Sequence, residues 1–292
     1  MALTLRKIEI LAVLAREESV SAAARRLGLT QSAVSMALAE LEREAGGPLF
    51  RRAGRRMIPG ERGRLLAEEA GKVLGLVGKM EEMLEPTGEL RGVLRIGAST
   101  TIGNYLLPAL LAAFREANPL VRLAMVVGNT SEIATKLEAG ELDLACVEGP
   151  VRSANLKVTD WRGDRLAVLA APGHPWTQNA PSPADLAAAP WIMREKGSGT
   201  REVFEEAMRA AGLIPNVLME LGHTEAIKKA VEANLGVGCL SKLAVTRELA
   251  AGTLAEVAAP LDLARRLTIL TDAREAPGRI AAACRAFLQW KA

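Results

Sequence analysis

Apolar side chains near the start of the chain recur every three or four positions between short polar breaks. Leu5, Ile8, Leu11 and Leu14 form one stripe and predict a helix over residues 4–17. Ser19 or Ser21 can cap a second, short helix over 21–27, and Gly28 suits its end. Thr30 caps a third over 31–45, which stops at Gly46-Gly47. Leu49 and Phe50 then anchor a hairpin, RRAGRRMIPG, with Ala53-Gly54 at its tip. From Glu61 to Glu85 the pattern predicts one long helix with Leu65, Leu66, Val73, Leu76, Val77, Met80 and Leu84 on its apolar face. A helix of that length with few packing partners of its own suits pairing with a copy of itself. Pro86-Thr87-Gly88 ends it and marks a domain boundary.

Beyond Gly88 the texture becomes strands alternating with helices. GVLRIGAS, VRLAMVVGN and LDLACVEG read as strands, with helices over 105–116 and 131–139 between them. RLAVLAAP, WIMREKG, VLMEL and GVGCLS continue the series, with helices near 183–187 and over 200–211, 224–233 and 242–251. RRLTILTD and a helix over 278–289 close it and are expected to return to the first half. This rhythm implies two α/β halves around a mostly parallel sheet.

The chain's 292 residues suit two or three domains, and 49% hydrophobic with 24% charged residues indicate a globular protein. Charge is unevenly placed. Through Arg64 there are 12 Lys and Arg against 7 Asp and Glu; the rest carries 25 against 27. The positive field therefore sits at the N-terminal end, where a polyanion would meet it. Arg6, Lys7 and Glu9 interrupt the first apolar run, so no secretory leader is expected. No uncharged apolar stretch is long enough to cross a bilayer. A cytoplasmic protein without a membrane partner is expected. Cys146, Cys239 and Cys284 are widely spaced and there are only two histidines, so no metal site is expected. The thiols read as small buried apolar groups, with a redox-sensing pair as the alternative.

Short helix, glycine turn, second helix is the grammar of a helix-turn-helix. In the helix over 31–45, Val34, Leu38 and Leu41 face inward. Gln31, Ser32, Ser35, Met36 and Ala39 lie opposite. Short side chains let a helix backbone approach base edges in a major groove. Gln31 can read adenine, Ser32 and Ser35 can reach bases or phosphates, and Met36 or Ala39 can touch a thymine methyl. Thr30 sits at the same helix start. Arg51, Arg52, Arg55 and Arg56 on the hairpin would grip phosphates or the minor groove. The plainer reading is a solvated helix in an ordinary bundle.

The stretch SVSAAARRLGLTQSAVSMALAELEREAGGPLFRR closely resembles the winged helix-turn-helix of LysR-type transcriptional regulators. Ala22-Ala23-Ala24, Leu27, the block Thr30 to Ser35, Leu41-Glu42 and Leu49-Phe50-Arg51-Arg52 carry the likeness. The resemblance extends over the whole chain. It implies an α/β protein with an N-terminal all-α winged helix-turn-helix over 1–60 and a linker and dimerisation helix over 61–88. A two-lobed, periplasmic-binding-protein-like effector domain would occupy 89–292, with lobe I about 89–162 and 267–292 and lobe II about 163–266. It further implies a pseudo-palindromic operator in double-stranded DNA, a homodimer or homotetramer, and RNA polymerase as a further partner. Met36-Ala37 stands where the family usually has a basic or polar residue and often glutamine, so operator preference does not carry over. The wing segment IPGERG also departs from the commoner form, although Pro59 and Gly63 keep their places.

Within the effector domain GASTT, GSGTR and GHTE each sit where a strand gives way to a helix. Hydroxyls and free backbone N–H groups at a helix start attract anions. Taken singly, such residues are mostly caps. Taken together they suggest a site, because ligands of open α/β sheets bind beyond the carboxyl ends of strands. The candidates are Ser99, Thr100, Thr101, Ser198, Gly199, Thr200, His223 and Thr224, with Asn129, Thr130 and Glu148 as weaker ones. REKGSGTR resembles a REPGSGTR variant of regulators of sulfur or carbon assimilation, with Lys196 in place of proline. The effector is then expected to be a small anion: sulfur-containing, phosphorylated or a carboxylate. No cofactor is expected. Nor is enzyme activity, since Ser99 and Ser198 have no evident base and neither turn has the Gly-Lys-Ser/Thr ending of a nucleotide loop. The competing reading is a small-anion-binding protein or enzyme on the same fold, with the N-terminal helices serving only dimerisation. Specific DNA binding separates the two.

Overall fold

A computed structural model describes residues 3–54, 56–84 and 88–291. Arg55, the predicted stop at Pro86-Thr87 and the side chain of Leu84 lie outside the described residues. The chain divides into two compact units: Met1–Gly88 with Ala139–Glu141, and Glu89–Glu138 with Leu142–Ala292.

In the first unit α1 (Leu5–Glu17), α2 (Val20–Leu27) and α3 (Gln31–Ala45) precede a hairpin of β1 (Phe50–Ala53) and β2 (Arg56–Pro59) and the long α4 (Glu61–Leu84). Each of the first three helices starts on a side-chain cap. Thr4 accepts from the Lys7 N–H, Ser19 from Ala22 and Thr30 from Ala33. Ser19, not Ser21, therefore caps α2, and the helix begins one residue earlier than its pattern suggests. Ala23 and Ala24 are buried against Leu11, Leu14 and Val34, and their small side chains bring α2 close to α1. The wing is tied to α3 by Glu42, whose Oε1 accepts the backbone N–H groups of Leu49 (2.9 Å) and Phe50 (3.1 Å).

The second unit runs β3 (Gly92–Ser99), α5 (Thr100–Tyr105), α6 (Leu107–Ala117), β4 (Val121–Gly128), α7 (Thr130–Glu138), β5 (Leu144–Glu148) and β6 (Leu156–Ala170). It continues with α8 (Pro183–Ala188), β7 (Trp191–Met193), α9 (Gly199–Ala210), β8 (Val217–Glu220), α10 (Thr224–Glu232) and β9 (Val237–Ser241). Then come α11 (Lys242–Ala251), β10 (Ala255–Val257), β11 (Ala264–Asp272) and α12 (Arg279–Trp290). The sheet order is β4-β3-β5-β11-β6-β9-β7-β8, with β10 beside β6.

The expectation of a mostly parallel sheet needs correcting. Pairing is parallel among β4, β3 and β5 and among β9, β7 and β8. It is antiparallel wherever β6 or β11 takes part. These two long strands run through both lobes, and their register shifts between Leu267 and Thr268. One core gathers Ile96, Phe114, Trp161 and Cys284. Another gathers Leu166, Trp191, Phe204 and Met208. The Trp161 indole N–H donates to the Leu288 carbonyl at 2.8 Å and fastens α12 to the first lobe.

Two more elements differ from the pattern. The helix expected over 105–116 is α6, which begins at Leu107 after a break at Leu106 (φ −123°, ψ −55°) with Pro108 in its first turn where the missing N–H does no harm, and a separate short helix, α5, precedes it unforeseen. The strand expected from Arg165 begins at Leu156, because Leu156 and Trp161 turn inward among outward polar neighbours.

Candidate functional site

The first unit presents a helix and a wing. Val34, Leu38 and Leu41 are buried, while Gln31, Ser32, Ser35, Met36 and Ala39 are exposed, Met36 by 65%. Thr30 is exposed as well, but its hydroxyl already accepts the Ala33 N–H and lies 2.9 Å from Ser32 Oγ. Arg51 and Arg52 project from β1 and are exposed. Arg56 reaches Glu18, 3.0 Å away, so part of its charge is answered within the unit. A pair that exposed is weak and easily exchanged for another anion.

In the second unit the three turns GASTT, GSGTR and GHTE open α5, α9 and α10. Side chains from both lobes link the first two. Ser99 donates its hydroxyl proton to Glu148 Oε2, and both residues are buried. Glu148 Oε1 lies 3.9 Å from Arg265 Nη1, which donates to Thr200 Oγ1 at 3.0 Å. Arg265 is anchored by Asp164, with Nε at 2.7 Å and Nη2 at 2.6 Å from Oδ2, and Ser241 donates to the same carboxylate. Arg194 is buried, reaches both oxygens of Glu195 at 2.8 Å and donates to Thr100 Oγ1 at 3.1 Å. Thr130 Oγ1 donates to the Glu148 carbonyl and accepts the Gly199 N–H.

Backbones meet closely here too. A Cβ on Gly199 would come within 1.8 Å of the Glu148 carbonyl oxygen, so no larger residue fits. Gly149 faces Gly199 with φ +83°, a conformation that favours glycine.

Among the predicted contacts, then, Ser99, Thr100, Thr130, Gly199 and Thr200 belong to one linked constellation with Glu148. Asn129 caps α7 through the Glu132 N–H, and its neighbour Ser131 donates to the Gly197 carbonyl. Ser198 is buried at the start of α9 without capping it. Thr101 is buried in α5. His223 is exposed and makes no capping bond. Thr224 is buried with a hydroxyl that has no hydrogen-bond partner.

The charges were the part the sequence reading missed. Arg194, Glu195, Arg265 and Asp164 stand among the turns, and only Glu148 had been a candidate. A second charged group lies at α10. Tyr105 donates to Glu225 at 2.9 Å, and Lys228 reaches Glu225 (2.6 Å) and Glu248 (2.8 Å). Burial pulls the Lys228 ammonium down, but the two carboxylates outweigh it and hold its pKa above the usual value. The three thiols are buried, and burial pushes each well up, Cys284 to about 12. They stay protonated near neutral pH, which removes the thiolate a redox pair would need. Among the described residues no cluster could hold a metal ion and no helix is long and apolar enough to cross a membrane.

A helix-turn-helix with a basic wing, followed by a two-lobed α/β unit with a polar junction, defines a DNA-binding regulator with a small-molecule receptor domain. Comparison with known proteins agrees. Residues 5–64 match the bacterial regulatory helix-turn-helix protein, lysR family, and residues 87–291 match the LysR substrate binding domain. The chain is 41% identical over 261 residues to the uncharacterized HTH-type transcriptional regulator YeiE of Escherichia coli K12, covering 89% of this chain and 88% of that one. It is 34% identical over 251 residues to the RuBisCO operon transcriptional regulator of Allochromatium vinosum, with 85% and 83% covered. The Synechocystis CcmR regulatory domain, solved in complex with 2-PG, superposes with a TM-score of 0.64 at 28% identity, over 69% of this chain and 97% of that one. The chain belongs to the LysR family of transcriptional regulators.

Proposed function

We propose that this regulator reads a pseudo-palindromic operator with α3 and the wing, and that a small anion held between the two lobes sets its activity. Residues 1–60 are the DNA-binding domain, 61–88 the dimerisation helix, and 89–292 the receptor. Lobe I is about 89–162 with 267–292, and lobe II about 163–266. One observation carries the receptor half. Helices α5, α9 and α10, at the three turns, start without a side-chain cap, as α6 and α12 also do away from the turns, and at α9 the Gly199 N–H is held instead by Thr130 Oγ1. Uncapped N–H groups and aligned peptide dipoles favour an anion. The unpaired Thr224 hydroxyl and the Arg194 guanidinium supply a donor and a charge. The bound 2-PG of the related CcmR domain supports the same class of ligand.

Thermal unfolding against sulfate, sulfite, thiosulfate, 2-PG and small dicarboxylates tests this reading. A binder of the folded state adds about 2.7 kcal/mol at a hundredfold excess over its Kd. Thr224→Val removes the unpaired hydroxyl in an isosteric side chain. It should leave the free protein as stable or more so, because a buried unsatisfied group is costly, and should weaken the response to the anion. A panel that shifts nothing would sink the anion reading and leave the DNA reading standing.

The DNA half has its own test. Arg52→Ala should weaken binding to every sequence and reduce the salt slope by about 0.9 for the lost phosphate contact. Gln31→Ala should instead relax preference at one base pair, by about 1–3 kcal/mol of discrimination. If neither changes titrations against operator and random duplex, the docking of helix and wing is wrong.

A further inference from the structure

A groove of about 580 Å³ runs along α9 in the receptor unit and is bordered by Gly149 and by residues between Pro260 and Thr268. That volume lies in the range of small-molecule sites, about 300–1,000 Å³. Its floor is apolar, with Val203 and Ala207 one helical turn apart and Leu261 facing them. Its rim carries opposite charges. Arg266 and Glu206 are both exposed, and neither has an ion pair or side-chain hydrogen bond among the described residues. Asp262 adds a second carboxylate, only one oxygen of which is engaged, by the Ala264 N–H. Arg265 also lines the groove, but its side chain is buried and its Nη2 is held by Asp164 at 2.6 Å, so it is not the free cation of the site.

The lining selects its ligand by charge. A dianion would face two carboxylates. A simple amine would leave Arg266 unanswered, and a simple carboxylate would leave Glu206 unanswered. A zwitterion satisfies both, and the apolar floor suits a short hydrocarbon side chain. We propose that this groove is a second ligand site, for an α-amino acid with a small apolar side chain.

The site is built to be felt at the lobe junction. One helix serves both places: the start of α9 carries Ser198, Gly199 and Thr200, and its flank carries Val203, Glu206 and Ala207. Arg265 lines the groove and hydrogen-bonds Thr200, and Gly149 borders the groove and packs on Gly199. A ligand that shifts α9 or Arg265 alters affinity at the junction, and an anion there alters affinity in the groove by the same factor.

Isothermal titration of the full chain, with no oxyanion in the buffer, tests the groove independently of the anion reading. The probes are glycine, L-alanine, L-valine and L-leucine, with butyrate and butylamine as controls. Saturable binding of valine or leucine is expected, weaker for glycine and absent for both controls. Arg266→Ala and Ala207→Phe should each lower affinity at least tenfold, about 1.4 kcal/mol, while Thr224→Val should not change it. Should Ala207→Phe fail to fold, Arg266→Ala alone decides. Three outcomes overturn the proposal: no amino acid binds, binding survives Arg266→Ala, or Ala207→Phe instead changes the mass of the unliganded assembly, which would make the groove a contact between copies.

Discussion

Asp164→Ala should cost the receptor unit about 3–5 kcal/mol, because it leaves a buried guanidinium without its carboxylate. The side chains of Asp164 and Arg265 are 3% and 2% exposed, and they meet at 2.7 Å and 2.6 Å. Ser241 loses its acceptor in the same substitution. The nearest remaining carboxylate in the network is Glu148, at 3.9 Å from Arg265 and already holding Ser99. Urea unfolding should therefore show a large fall in midpoint. The double substitution Asp164→Leu with Arg265→Leu should lose less than Asp164→Ala alone, since a hydrophobic pair can replace a buried ion pair at little net cost. A single-mutant loss below about 1 kcal/mol would mean that water reaches Arg265 in solution and that the network is not a closed one.

That pair also marks the limit of what the sequence made legible. Local features were readable. Thr4, Ser19 and Thr30 each bond an N–H three residues on, so a cap and the periodicity behind it identify a helix without any knowledge of the fold. The turns GASTT, GSGTR and GHTE were found the same way, since a strand pattern stops and a helix pattern starts at each. Long-range partners were not. Asp164 and Arg265 are 101 positions apart, Thr100 and Arg194 are 94, and Tyr105 and Glu225 are 120. No period in the chain joins them. One signal was present and unused: Arg265 shares the two-residue alternation of Leu267 and Ile269 in β11 and so falls on their buried side, where a charge must be paired. Proline gave another. Pro108 belongs in a first helical turn, which would have placed the start of α6 correctly and exposed α5 as a separate element. Hydroxyls were harder, because a serine at a helix start looks alike whether it caps or not. Only the structure distinguishes Ser19, which caps α2, from Ser99, whose proton goes to Glu148.

Leu76→Asp should separate the protein's two DNA-reading units while leaving each folded. On the 24-residue α4, Leu65, Val73, Leu76 and Met80 are exposed by 58%, 39%, 49% and 64%. Leu66, Val73 and Met80 recur every seven residues, the spacing of a helix that pairs with another. Surfaces so apolar are buried against a partner when one is present. If α4 pairs with a copy through this face, aspartate there would place a carboxylate in an apolar contact. The side chain is half exposed within one chain, so folding of the single chain should be little affected. Light scattering should then report a smaller assembly. Affinity for a full operator should fall by about 10²–10⁴, because the second half-site no longer benefits from the first. Affinity for an isolated half-site should not change. The sheet edges offer a further contact, with Met125, Val126 and Val127 on β4 and Val217, Leu218 and Met219 on β8 also exposed. If copies stay joined through those edges, mass would hold while operator affinity still dropped. Unchanged affinity for the full operator would rule α4 out as the element that pairs them.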